Sequence, residues 1–327
     1  MGYYLSGIDE AGYGPTLGPL VVGLATVRAQ AELDAAEPWR ALAGAVGRKH
    51  RTGHVAVADS KQLHRTHDLS PLELGVLSFV ACERGGATPT SLRELLAQLT
   101  DGAVAYLDEY PWYRGRDLQL PVACDPLDLL GATRRLERAL ERAQLSIAEL
   151  RARPVDVLEF NRGVSESDSK GEVNARAIGE LLKWLWAKRE RVRGAVYTDR
   201  LGGRQRYGPF LYPLFGGATF NIIEQQEELQ IYRVSSDAPR RDLTISFRVD
   251  GEDHSFATAL ASMTAKYVRE LHMRLFNSWW QEQSREHARV ELKATAGYAQ
   301  DAQRFLNEIE PWCHALAIDR RALVRSR

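Results

Sequence analysis

Gly7-Ile8-Asp9-Glu10-Ala11-Gly12-Tyr13-Gly14-Pro15 is the stretch on which the reading of this chain turns. It completes an apolar run, residues 3–8, that reads as a strand ending in two acids. A Gly/Pro-rich turn follows, through Gly18-Pro19, and leads into a second strand-like run, Leu20-Val21-Val22-Gly23-Leu24-Ala25. Two such runs around a turn predict a hairpin. Adjacent carboxylates at the end of an apolar strand repel each other and lose hydration unless they are protonated or share a cation. A divalent ion that prefers oxygen ligands, such as Mg²⁺, supplies that compensation. The glycines let a ligand approach the backbone closely. A bare Asp-Glu pair would read as an exposed acidic turn, so the rest of the chain has to decide.

Composition narrows the field without choosing. The 327 residues carry 43 basic and 43 acidic side chains, a formal charge of zero. That disfavours a protein held to nucleic acid by bulk charge alone, and leaves room for a basic groove balanced by acids elsewhere. No run approaches the roughly 20 apolar residues of a membrane span, so no membrane partner is expected. The N-terminus lacks a basic segment followed by an apolar one, and no export signal is read there. Cys82, Cys124 and Cys313 lie far apart and form no Cys-x-x-Cys pair, which fits a reduced, cytoplasmic compartment and excludes a zinc ribbon.

Strand and helix patterns alternate along the chain and predict a mixed α/β sheet with helices against it. A helix is expected over 70–82, with Ser70 as N-cap and Pro71 in its first turn. Residues 101–127 have no clear period, and Leu129, Leu136, Leu140, Ala143 and Ile147 recur at helical spacing from Leu129 to Leu150. Asn174 opens a further amphipathic helix. Ala195-Val196-Tyr197-Thr198 reads as a strand that ends at Asp199, and 218–234 and 243–249 read as further strands. Helices are expected over 255–276 and 299–309.

Four more segments carry polar residues in telling places: Ala58-Asp59-Ser60-Lys61-Gln62-Leu63, Val196-Tyr197-Thr198-Asp199, Ala261-Ser262-Met263-Thr264-Ala265-Lys266 and Ala296-Gly297-Tyr298. Taken alone, Lys61 would be a solvated surface lysine and Asp199 a turn former. Together with the opening segment, and in this order, they resemble ribonuclease HII and its relative ribonuclease HIII. The resemblance implies one ribonuclease H-like catalytic domain over 1–327, with a mixed central sheet, flanking helices and a C-terminal helical part. It implies hydrolysis of the RNA strand of RNA–DNA hybrids, leaving 5′-phosphate and 3′-hydroxyl ends.

By the same resemblance the catalytic and metal-binding quartet is Asp9, Glu10, Asp199 and Glu252. Glu252 stands ten residues before Ser262, where ribonuclease HII has aspartate and ribonuclease HIII glutamate; Asp250 or Asp253 would replace it if the register slipped. Two Mg²⁺ or Mn²⁺ ions are implied, one activating a water and one stabilising the departing 3′-oxygen, with Asp9 bridging them. Gly12, Tyr13, Gly14, Lys61 and Tyr298 are the implied substrate contacts, Lys61 on a backbone phosphate and Tyr298 against a sugar. A monomer is expected. Arg269-Glu270 stands where ribonuclease HII has Arg-Asp and reads as support for the site.

Tyr13 departs from the pattern, because ribonuclease HII has arginine between the two glycines. Backbone amides could still meet a 2′-hydroxyl, but the charged phosphate contact is absent. This puts cleavage at single embedded ribonucleotides in doubt more than cleavage of longer hybrids. Spacing also places insertions at about 100–155 and 204–245, the second as an added hairpin. Tyr110, Trp112 and Arg114 read equally as a stacking patch or a packed loop. His50, His54, His64 and His67 form no rival metal site. Two other functions remain open: a catalytically inactive hybrid-binding paralogue, and a DNA-directed metal nuclease of the same fold.

Overall fold

Asp9 and Glu10 lie inside a strand rather than beyond its end. In the computed structural model, which describes residues 2–63, 68–188, 192–287 and 291–326, β1 runs Tyr3–Ala11 and pairs antiparallel with β2, Leu20–Ala29. This is the expected hairpin. Two short strands, β3 (Val46–Gly47) and β4 (Val55–Ala56), pair with each other apart from the main sheet. The remaining strands are β5 (Ser146–Val155), β6 (Val192–Asp199), β7 (Thr219–Gln225), β8 (Leu229–Asp237) and β9 (Arg240–Arg248).

The main sheet has seven strands in the order β5-β2-β1-β6-β9-β8-β7. β6 joins β1 in parallel and β9 joins β6 in parallel, while the other pairs are antiparallel. This is the mixed α/β sheet with flanking helices expected from the sequence, and the C-terminal helices Ala299–Ala315 and Arg320–Leu323 are present. Strand alternation divides the core in two. Leu5, Val21, Ala25 and Val27 face the helices Ser70–Glu83, Pro126–Arg142 and Phe256–His287. Ile8, Leu20, Val22 and Leu24 face the helix Lys170–Ala187 and its neighbours. Among the described residues no helix is long and apolar enough to cross a membrane.

Three sequence expectations need correction. The helical run from Leu129 stops at Arg142, and Ile147 and Leu150 belong to β5, an edge strand paired with β2. The helix ends where Gln144 adopts a left-handed conformation, φ 54°, without the glycine that usually signals such a stop. The span 100–155 assigned to an insertion therefore includes one strand of the main sheet. Ser70 lies within its helix rather than capping it, and its hydroxyl donates to Asp68 and to the Ala123 carbonyl. Asn174 does not open its helix: Ser169 caps it by accepting from the Glu172 amide, which carries Asn174 into the second turn and buries it. The 204–245 region does contain a hairpin, β7–β8, which extends the sheet edge beyond β9.

Candidate active site

Alternation sends the two acids of β1 to opposite faces. Asp9 shares the face of Leu5 and Gly7, against the long helix Phe256–His287, and Glu10 shares the face of Ile8, toward the helix Lys170–Ala187. The long helix lies directly on the strand: a β-carbon on Gly7 would meet the Thr258 amide at 2.0 Å, and one on Gly23 the Ala261 carbonyl at 2.2 Å. Four helical residues past Thr258 rise about 6 Å, close to the advance of two strand residues past Gly7. Ser262 thus arrives beside Asp9, where its hydroxyl favours the charged carboxylate. Ser262 Oγ also lies 3.0 Å from Ser60 Oγ, which ties the segment bearing Lys61 to the same place.

The other acids come from neighbouring elements. β1 and β6 are parallel with Ile8 beside Thr198, so the next residues, Asp9 and Asp199, sit side by side at the strand ends. Asp199 Oδ1 accepts from its own chain at the Arg200 amide, 2.9 Å, and from the Gly251 amide, 3.4 Å. Gly251 begins the short helix Gly251–His254, whose next residue, Glu252, is buried. Asp250 and Asp253 flank it and are exposed.

These groups act on one another through their charges. Burial, with the charges of Glu10, Glu252 and Asp199, holds the Asp9 carboxyl well above its usual range. Burial and Asp199 push Glu10 up to about 7, against a hydrogen bond from Asn174 that favours its charged form. Asp199 is raised chiefly by burial, against the two amide hydrogen bonds, and Glu252 by burial together with the charge of Asp199. Lys61 is the cation among them. Burial works to lower its pKa, but Asp59, Glu252, Asp9 and Asp199 outweigh that and raise it.

A divalent cation fits this donor set in chemistry more than in ready-made geometry. Glu252 Oε2 and Asn174 Oδ1 are buried oxygens without a hydrogen-bond partner, and buried acceptors of this kind are costly unless a cation or water meets them. The side chains that could hold an ion are Asp9, Glu10, Asp199 and Glu252. They are not closed into a cage: among the described residues no three His, Cys, Asp or Glu side chains stand close enough to hold an ion as they are.

The glycine turn is held from below by two buried arginines. Gly12 adopts φ 85°, and a β-carbon there would strike the Arg269 side chain at 2.5 Å. Arg269 donates to the Leu17 and Ala296 carbonyls, and Arg325 donates to the Gly12 and Pro15 carbonyls. A trans peptide points its C=O and N–H in opposite directions, so the Gly12 contact turns the Tyr13 amide away from the guanidinium. Gly297 O accepts from Thr16 N at 2.8 Å, joining the turn to the Ala296-Gly297-Tyr298 segment. Tyr298 is half exposed, its ring 5.6 Å from the Arg269 guanidinium. The Tyr13 hydroxyl lies near Gly171, at the start of the helix Lys170–Ala187. Burial raises its pKa, with a contribution from the charge of Glu10.

Sequence reasoning missed Asn174 and Arg325. Asn174 carried a signal, a polar residue within an apolar helical stripe. Arg325 carried none, since an arginine near a chain end is ordinarily solvated. Tyr110 and Trp112 are buried against the long helix, which makes their segment a packed loop. His64 and His67 lie outside the described residues.

Comparison with known proteins adds likenesses of fold. No family model matches the chain. No curated protein matches it either. Among solved structures, the RNase HII of the PCNA complex from Archaeoglobus fulgidus is 16% identical, with 98% of this chain and 93% of that one covered and a TM-score of 0.45. Ribonuclease H2 from Pyrococcus horikoshii OT3 is 14% identical, covering 98% of this chain and 92% of that one, with a TM-score of 0.43. Bst-RNase HIII in complex with Mn²⁺ is 15% identical, covering 93% of this chain and 62% of that one, with a TM-score of 0.39. Likenesses this distant do not establish membership of a family; the chain is similar to these ribonucleases over nearly its whole length.

Proposed function

We propose that this protein is a metal-dependent endoribonuclease that hydrolyses the RNA strand of RNA–DNA hybrids, acting as a monomer and leaving 5′-phosphate and 3′-hydroxyl ends. The observation that carries the reading is the meeting of Asp9, Glu10, Asp199 and Glu252, from three separate parts of the chain, in mutual electrostatic contact at one end of the sheet. Clustering four acids, two buried and two half-buried, has no structural benefit that offsets their repulsion, whereas a cation-binding site requires it.

Two Mg²⁺ or Mn²⁺ ions, when bound, supply an activated water and charge stabilisation at the leaving oxygen. The chain's own residues do the rest. Ser262 favours the charged form of Asp9, and Asn174 that of Glu10. Gly251 and Arg200 amides fix the Asp199 carboxylate. Lys61 places a positive charge beside the acids, where a substrate phosphate would pair with it. The Gly12-Tyr13-Gly14 backbone, held by Arg325, offers its outward amide to the 2′-hydroxyl that separates RNA from DNA.

The test is cleavage of matched RNA–DNA, RNA–RNA and DNA–DNA duplexes with Mg²⁺ or Mn²⁺. Cutting confined to the RNA strand of the hybrid is expected. Binding without cutting would identify a non-catalytic hybrid-binding protein, and cutting of DNA duplexes alone a DNA-directed nuclease.

A further inference from the structure

The carboxylates occupy one end of the sheet, and the sheet continues well past them. Ile8, Thr198, Phe247, Gln230 and Gln225 are successive Cα partners across β1, β6, β9, β8 and β7. That row places the turn after β7 and the loop after Asp199 at the same end as Asp9 and Asp199. Between them lies a cavity of about 450 Å³, lined by Arg200, Gln205, Arg206, Gln225 and Gln226, with Gln230 at its floor and Glu227 as its one acid.

The loop that forms this cavity is built, not loose. Leu201 N donates to the Tyr207 hydroxyl at 2.9 Å, and Arg204 N to the Leu201 carbonyl at 3.0 Å. Tyr207 stacks on Phe247 at 3.7 Å and donates its amide to the Tyr232 hydroxyl, which donates in turn to Gln230 Oε1. Gln230 Nε2 returns to the Gln205 carbonyl at 2.6 Å. The buried Tyr207, Tyr232 and Gln230 thereby hold Gln205 and Arg206 outward, where both are exposed. Arg200 follows Asp199 directly, and its amide is fixed on the Arg248 carbonyl at 3.0 Å.

The lining has no apolar side chain, which sets it apart from a small-molecule pocket. Guanidinium groups pair with phosphate oxygens, and carboxamides both donate to and accept from sugars and base edges. Strands are spaced about 4.8 Å apart, so β8 and β7 stand roughly 10–14 Å from the strand that carries Asp199. At about 3.4 Å per nucleotide step, that is roughly three to four nucleotides along a helical strand. We propose that the β7–β8 hairpin and the Arg200–Arg206 loop form a second nucleic-acid contact, which grips the sugar-phosphate backbone of the hybrid three to four nucleotides, roughly, from the cut. The inference rests on the hybrid-nuclease reading, and gives the added hairpin a role in holding longer substrates.

The experiment measures binding of fluorescein-labelled RNA–DNA hybrids by anisotropy, with Ca²⁺ in place of Mg²⁺, over a range of salt. Wild type is compared with Arg206→Ala and with Arg206→Glu, whose exposed position leaves folding to be confirmed by melting temperature. On hybrids long enough to reach the hairpin, the log–log salt slope for Arg206→Ala becomes shallower by about 1, and Arg206→Glu weakens binding further. On hybrids that end about two base pairs from the cut, which cannot reach it at the spacing above, all three bind alike. In cleavage, KM on long hybrids rises while kcat holds. Unchanged slopes in variants of a wild type that binds hybrids overturn the second contact alone. A wild type that binds no hybrid overturns it together with the substrate reading beneath it.

Discussion

Ser60 Oγ and Ser262 Oγ lie 3.0 Å apart in the protein interior, although 202 residues separate them in the chain. Ser262 also favours the charged form of Asp9. The pair therefore joins three segments far apart in the chain: the acidic strand, the Asp-Ser-Lys turn and the long helix. Ser262→Ala removes the hydroxyl common to both contacts and leaves Ser60 without its partner. A stability loss of about 1–2 kcal/mol is expected, with divalent-ion affinity down about tenfold or more. Ser60→Ala keeps the Ser262 hydroxyl beside Asp9 and should reduce ion affinity less. Urea unfolding and ion titration of both variants check this, and equal effects on affinity would count against Ser262 as the orienting group.

Asp9→Asn removes a ligand with little change in volume. Cleavage should be lost while the fold persists, as judged by circular dichroism. Because burial and three neighbouring charges oppose ionisation of Asp9, the neutral amide should also raise the melting temperature in the absence of divalent ions. Full activity in this variant would refute the assignment.

Tyr13 stands where the resembled family has arginine, beside a glycine turn already anchored by Arg325. Since the backbone is held independently of the side chain, Tyr13→Arg adds a phosphate contact without rebuilding the turn. Cutting at single embedded ribonucleotides should rise relative to cutting of long hybrids. No change in that ratio would contradict the argument from the departure.

His272 supplies a pH test remote from the acids. Its Nδ1 donates to the Val268 carbonyl and its Nε2 accepts from the Tyr106 hydroxyl, at 2.7 Å each. Burial lowers its pKa to about 4, so the folded ring stays neutral where an unfolded ring would gain a proton. Its contribution to stability is therefore intact above about pH 6.5 and declines as pH falls toward about 4, by up to about 3 kcal/mol. His272→Gln should unfold with a weaker dependence on pH across that interval. Urea midpoints at pH 7 and 4.5 measure it, and parallel losses in both proteins would reject it.

The part of the candidate site that sequence carried lies in local patterns: an apolar strand run that contains Asp9-Glu10, another ending in Asp199, and, by resemblance to ribonuclease HII and ribonuclease HIII, the spacing from Ser262 back to Glu252. The β1–β2 hairpin was legible for the same reason. What escaped depended on distant partners. β5 resembled a helical continuation because Ile147 happens to fall four residues after Ala143, and only its pairing with β2 makes it a strand. Asn174 acquires its role from Glu10 on another element, and Arg325 from the Gly12 and Pro15 carbonyls more than 300 residues earlier. No local window contains such contacts.

Calorimetric titration of the purified protein with Mn²⁺, alongside Asp9→Asn and Glu252→Gln, addresses the convergence of the four acids most directly. The expected result is saturable binding to the wild type, accompanied by a rise in melting temperature with ion concentration, and marked weakening of both effects in each variant. Absence of saturable binding to the wild type, or equal binding by all three proteins, would contradict it.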